Sequence, residues 1–260
     1  MKKLLKYIFL LIMIIASVRV FGDLSEIIRE YNQIKLEKES DSPSYKSYKM
    51  LEPVVKLTTV YFGPEGAFPY GSATGFSINY DSKSNSSTII TNAHFCSLLE
   101  ELPVGSFLIA QDYKNVSNGV FDNAIPAEII SYDEQLDLCA LEVNGFVRPA
   151  ELAPDYLRVV EFEELFIVGA PSGNFPIIIK TYSSGYVERK SGVLSPMSEE
   201  GEDILFVSEI VFPGHSGSPI FNREGQVVAL VYASTSAYGA LCITIRDLEK
   251  FLNEIPSISF

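Results

Sequence analysis

The stretch that most constrains this chain is Phe212-Pro-Gly-His-Ser-Gly-Ser-Pro-Ile220. It places Ser216 two residues after Gly214 and directly before Gly217. A serine hydroxyl is a weak nucleophile until a base takes its proton and donors hold the oxyanion that forms. Glycines beside a serine let the backbone turn tightly, so that several N–H groups point at one spot. Alone, the pattern also fits a Ser/Gly-rich turn ahead of a strand. The rest of the chain has to supply the base and the acid.

There are only two histidines. His215 sits next to the serine, and neighbours on a turn point in different directions, so it is a poor base for Ser216. His94 ends Ser87-Thr-Ile-Ile-Thr-Asn-Ala-His94, a β-branched run that reads as a buried strand delivering a histidine to its end. A lone histidine near an apolar run is more often a hydrogen-bonded core residue, but no other histidine can serve the serine. An orienting carboxylate is then needed. Asp137 heads the apolar run Leu138-Cys-Ala-Leu141, where an unpartnered charge is costly. Asp112, Asp133 and Glu134 sit in polar surroundings and read as solvated loop charges. Glu142 reads as an outward-facing strand residue.

Thr91-Asn-Ala-His94, Asp137-Leu-Cys-Ala-Leu141 and Gly214-His-Ser-Gly-Ser-Pro219, in that order, resemble the trypsin/chymotrypsin-like serine proteases. They are most similar to the bacterial and phage branch that includes glutamyl endopeptidases and periplasmic trypsin-like proteases. The resemblance runs from Val54 to the C-terminus. It implies an all-β fold of two six-stranded Greek-key barrels with a cleft between them. It further implies an exported endopeptidase acting on polypeptides, with Ser216 as nucleophile, His94 as general base and then acid, and Asp137 orienting it. The backbone N–H groups of Gly214 and Ser216 would form the oxyanion hole.

Some positions depart from the relatives. His215 stands where digestive members carry an acid that pairs with a freshly cut N-terminus, so that pairing is not the activation switch here. Ser218 replaces the usual second glycine, as in glutamyl endopeptidases. Those enzymes carry a histidine near Val231, whereas this chain has Val231 and Tyr232, so specificity for glutamate is not supported. Ile210 is apolar where trypsin has an acid, which points to an uncharged residue before the cut. Ile210, Val231, Tyr232 and Ala233 are the substrate-binding candidates, and the edge Ala229–Ala233 would pair with substrate backbone.

Composition narrows the partners. A net charge of −13 argues against nucleic acid and anionic membrane surfaces. Residues 1–22 read as a signal peptide, with Lys2, Lys3 and Lys6 ahead of an apolar run too short to span a bilayer comfortably. The product would be secreted or periplasmic. An uncleaved anchor is the alternative, and then the membrane is touched only through this segment. Residues 23–50 read as an amphipathic helix and a charged, Ser-rich linker, either packed on the body or acting as a pro-segment.

The first barrel is expected over 51–148. Its strands are Val54–Phe62, Gly71–Asn79, the His94 strand, Gly105–Gln111, Ala127–Tyr132 and Leu136–Val143, with a helical turn after His94. A connector follows. The second barrel is expected over 159–246, with strands from Leu165, at Ile177–Tyr182, Gly185–Lys190, Ile204–Val211, Gln226–Ala233 and Ala240–Ile245. A helix over Asp247–Ile255 closes the chain.

Cys96, Cys139 and Cys242 are an odd set. Cys96 and Cys139 each lie two residues past a site candidate, which allows a bridge, but the reading favoured here is buried free thiols. No cysteine–histidine spacing suggests a metal site, and the chemistry needs no cofactor. A catalytically silent binding protein of the same fold is the competing reading, although the complete set of three residues argues against it. An acyl hydrolase of the α/β kind ranks below both, because the chain lacks alternating βα units and the Gly-x-Ser-x-Gly elbow.

Overall fold

The computed structural model describes residues 49–113, 123–154, 157–174, 176–190, 193–196, 203–235 and 239–255. The signal peptide and nearly all of the 23–50 segment lie outside the described residues. Met50, the last residue of that segment, is buried in the core.

Six antiparallel strands close the first barrel: β1 (Val54–Gly63), β2 (Gly66–Asp81), β3 (Ser86–Thr91), β4 (Phe107–Asp112), β5 (Ile125–Asp133) and β6 (Leu138–Asn144). Their spatial order is β1-β2-β3-β6-β5-β4, with β4 returning to β1. The jump from β3 to β6 gives the Greek-key connection. Side chains alternate across a strand, so each barrel strand sends one set inward. Val55 and Leu57 of β1 fill the barrel with Ala73, Ile89, Leu108 and Leu141. Val54 of β1 and Phe76 of β2 face outward, yet they are fully buried, because the second barrel packs there. This explains why these strands read as near-continuous apolar runs rather than strict alternation.

The second barrel uses β8 (Glu164–Gly169), β9 (Ile177–Lys190), β11 (Asp203–Val207), β12 (Pro219–Phe221), β13 (Gln226–Thr235) and β14 (Gly239–Thr244). Its order is β9-β11-β14-β13-β12-β8, and the β8–β9 pairing closes it. Two short strands lie outside the ring. β7 (Glu151–Leu152) runs parallel to β13, and β10 (Val193–Pro196) pairs with the far end of β9.

Several expectations change. Ile177–Tyr182 and Gly185–Lys190 are one strand, not two, because Gly185 at φ 87 bends the chain without ending its pairing. β12 takes the vacated sixth place in the ring. It was missed because only three residues follow the glycine-rich loop before Asn222 turns the chain. The connector contains β7.

The described residues are helical at 49–51, ahead of the first barrel, and form three further short helices: α1 (Ala93–Cys96), α2 (Leu98–Glu101) and α3 (Ile245–Asn253). A 3-10 turn covers Pro171–Gly173. α3 buries Leu248, Phe251 and Leu252 against residues of both barrels, including Phe76, Ile90, Phe221 and Leu230. Each such side chain contributes roughly 1.5–3 kcal/mol when fully buried. The helix therefore ties the barrels together across the face where they meet.

Candidate active site

The first barrel supplies two of the three polar residues. β3 ends at Thr91, and the chain turns at once into α1, which carries His94. The histidine thus sits on a single helical turn rather than on the strand end itself. Ala93, Phe95 and Cys96 are buried around it, while His94 stays exposed. Asp137 lies just ahead of β6 in a left-handed conformation, φ 57, which is strained for a non-glycine residue. That backbone twist turns its carboxylate toward α1. Asp137 Oδ1 accepts from the His94 backbone N–H at 2.9 Å. His94 Nδ1 lies 2.9 Å from Asp137 Oδ2 and 3.0 Å from Oδ1. Asn92 Nδ2 donates to the Asp137 carbonyl at 3.0 Å, which holds the strained turn.

Cys96 and Cys139 are joined by a disulfide, which corrects the expectation of free thiols. Register explains it. Thr91 of β3 is paired with Cys139 of β6, and α1 folds back so that Cys96 reaches the same place. Cys242 remains a buried free thiol whose pKa is pushed far up by burial.

The second barrel supplies Ser216 on the loop between β11 and β12. His94 Nε2 lies 3.0 Å from Ser216 Oγ. The two glycines around the serine are required. Gly214 has φ +97, and a Cβ there would lie 2.4 Å from the Ala170 carbonyl oxygen. Gly217 has φ +79, and its Cβ would lie 2.2 Å from the Thr74 carbonyl oxygen. Neither the Gly214 nor the Ser216 N–H donates a hydrogen bond among the described residues. The carbonyl of Pro213, which a peptide flip would bring into their place, accepts from the Ser172 N–H at 2.6 Å. Ser172 itself has φ 51.

His215 faces away from this line. It is buried, with Nδ1 within hydrogen-bonding distance of the Phe212 N–H and carbonyl, at 3.3 and 3.1 Å. Burial lowers its pKa from the ordinary histidine value. The rival acids are engaged elsewhere: Asp133 accepts from the Gln135 and Leu136 N–H groups, and Glu142 from Ser86 Oγ.

Sequence reading missed Thr74, which joins the two halves. Its N–H donates to the Ser216 carbonyl at 2.8 Å, and its hydroxyl donates to the Gly214 carbonyl at 2.7 Å. The same hydroxyl accepts from the Ala170 N–H at 2.9 Å. Thr74 is fully buried, and the run of small residues Ser72-Ala-Thr-Gly75 was its only local signal. Among the substrate-binding candidates, Ile210 is exposed, and Tyr232 and Ala233 are half-buried. Val231 points into the second-barrel core, and its backbone is already paired, N–H to Ser218 and carbonyl to Gly217. Its side chain does not line the cleft.

A family model described as a trypsin-like peptidase domain matches residues 73–230. The chain is 23% identical over 200 residues to a "Serine protease Do-like HtrA" of Lactococcus lactis, a match covering 72% of this chain and 45% of that protein. It is 24% identical over 234 residues to "Serine protease HTRA1" of Xenopus laevis, covering 84% and 45%. The chain thus spans less than half the length of these relatives. Among solved structures, a protease of M. tuberculosis in its active form matches at a TM-score of 0.60 and 20% identity, over 82% of this chain and 85% of that one. The inactive form of that protease matches at 0.56 and 21% identity, over 82% and 93%. These likenesses show the fold. With the family model covering more than half of the sequence, the chain belongs to the trypsin-like serine peptidase family.

Proposed function

We propose that this protein is an exported serine endopeptidase that cleaves polypeptides through an acyl-enzyme formed on Ser216. The observation that carries the reading is the unbroken polar line from Asp137 through His94 to Ser216, with contacts of 2.9 and 3.0 Å.

The chemistry follows from the geometry. Ser216 Oγ attacks the scissile carbonyl carbon while His94 Nε2 takes its proton. Asp137 accepts from Nδ1–H, which leaves Nε2 as the lone-pair nitrogen facing the serine and stabilises the imidazolium that forms. The carbonyl oxygen becomes an oxyanion beside the Gly214 and Ser216 N–H groups. Such donors are worth roughly 3 kcal/mol each where they have been removed singly. The C–N bond then breaks as His94 returns the proton to the departing amine. Water, activated by the same histidine, releases the acyl group and restores Ser216.

The substrate's acyl half extends along the edge of β13 near Ala233. The exposed Ile210 favours an uncharged side chain before the cut. Export is supported by the N-terminal basic-then-apolar segment and by the Cys96–Cys139 bridge, which persists in oxidising compartments.

The test is labelling by a fluorophosphonate, followed by peptide turnover, for wild type, Ser216→Ala and His94→Ala. Wild type should label and both variants should not. Turnover should fall by about a millionfold in either variant, on the precedent of another serine protease. A folded wild type that neither labels nor cleaves would instead indicate a silent binding protein.

A further inference from the structure

A cavity of about 210 Å³ opens beside the cleft, lined by Lys56, Thr58, Tyr70, Ser72, Ser172 and Gly173 among others. Among the described residues, Lys56 is its only cationic lining residue and no carboxylate lines it. Lys56 lies on β1 between Val55 and Leu57, which point into the first barrel, so its own side chain leaves on the opposite face, toward the second barrel. It is only 6% exposed. It makes no hydrogen bond and no ion pair among the described residues. A lysine buried this far normally has a counter-charge. Burial lowers its pKa from the ordinary lysine value.

The cavity's place is set by contacts already described. Lys56 is paired in register with Thr74, whose N–H holds the Ser216 carbonyl. Ser72 is two residues along β2 from Thr74, about 7 Å by strand rise. The far wall is the turn carrying Ser172 and Gly173, and Ser172 holds Pro213 next to Gly214. A Cβ on Gly173 would lie 3.2 Å from Ser72 Oγ and 3.8 Å from Lys56 Cε, so this glycine keeps the pocket floor open. The nucleophile loop is flanked by β13 on one side, through Gly217 and Val231, and by β2 on the other. With the acyl half of the substrate on β13, the amine half leaves over β2. Two residues of extended chain span about the same 7 Å.

We infer that Lys56 and this cavity bind the carboxylate of an aspartate or glutamate at the second residue after the scissile bond. The missing counter-ion is thus supplied by the substrate. The inference rests on the peptidase reading of the same site.

The test uses three matched peptides that differ only in carrying Glu, Gln or Lys at that position. In wild type, kcat/KM should be about tenfold higher for Glu than for Gln, the scale of a hydrogen bond to a charged group, and lowest for Lys. In Lys56→Met the Glu-to-Gln ratio should fall to near one, and in Lys56→Glu the Lys peptide should become the preferred one of the three. A change in folding or overall rate does not move these ratios. Equal rates for Glu and Gln in wild type, or a Glu preference that survives Lys56→Met, would overturn the inference. Binding of the same peptides to Ser216→Ala, by fluorescence anisotropy, reads the pocket without turnover. If wild type cleaves no peptide, the peptidase reading falls, and a Kd for the Glu peptide no tighter than for the Gln peptide overturns the pocket as well.

Discussion

The two halves of the site are built differently. The first-barrel half is closed in itself. His94 and Asp137 bond to each other, Asn92 braces the Asp137 turn, and the Cys96–Cys139 bridge staples the same two segments two residues further on. The second-barrel half is not. The Ser216 loop takes its shape from its glycines, but its carbonyls at Gly214 and Ser216 are held by Thr74 of the first barrel. The Asp–His pair is thus a property of one barrel, whereas the position of Ser216 is a property of the docked pair.

Substitutions in each half test this contrast. The largest effect is expected for Asp137→Asn, which keeps the shape but presents the wrong partner to His94 Nδ1. The kcat should drop about ten-thousandfold. A loss of only tenfold in steady-state assays would mean that the first half is not held by this carboxylate.

Next comes the paired change Cys96→Ala with Cys139→Ala. Opening the 43-residue loop should cost about 4 kcal/mol in urea unfolding. The molecules that remain folded should still label at Ser216, since the bridge belongs to the first half. Loss of labelling at full foldedness would erase the distinction between the halves.

Thr74→Val should reverse that balance. It leaves the buried Ala170 N–H without its acceptor, at about 1–3 kcal/mol of stability. Turnover should fall as much as about a hundredfold, because the Ser216 loop shifts. A Thr74→Val protein that is destabilised but fully active would show that the second half stands alone.

The smallest effect concerns His215. Its folded pKa is depressed below the ordinary 6.5, so the unfolded chain binds the proton first as pH falls. Its contribution is fully present above that value and is lost as pH falls through the depressed folded one. The slope is at most about 1.4 kcal/mol per pH unit. His215→Asn should flatten this part of the wild-type stability profile. An unchanged profile would mean that the buried imidazole does not couple the loop to pH.

Much of this molecule is legible in its sequence. The β-branched run before His94, the apolar run after Asp137 and the glycines around Ser216 are local patterns, and each gives its element within a few residues. Boundaries slipped where local signals conflict. Gly185 looks like a strand end but is a bend inside β9. Pro219–Phe221 looks too short to be a strand but completes a ring. The Val231 side chain faces the core rather than the cleft, and this went unseen because the register of β13 is not readable from the strand's own residues. The bridge between Cys96 and Cys139 needed the β3–β6 pairing, which places residues far apart in the chain side by side.

The residue types and their order are written in the chain: a histidine after a β-branched run, an aspartate ahead of an apolar run, and a serine framed by glycines, on strands of period two. The tertiary structure decided which groups meet. Thr74 and Gly214 are 140 residues apart, and no local periodicity encodes a hydrogen bond across that span. The same holds for Lys56. Its residue type is plain, but that it has no ion-pair partner among the described residues appears only when two barrels bury it at the edge of their cleft.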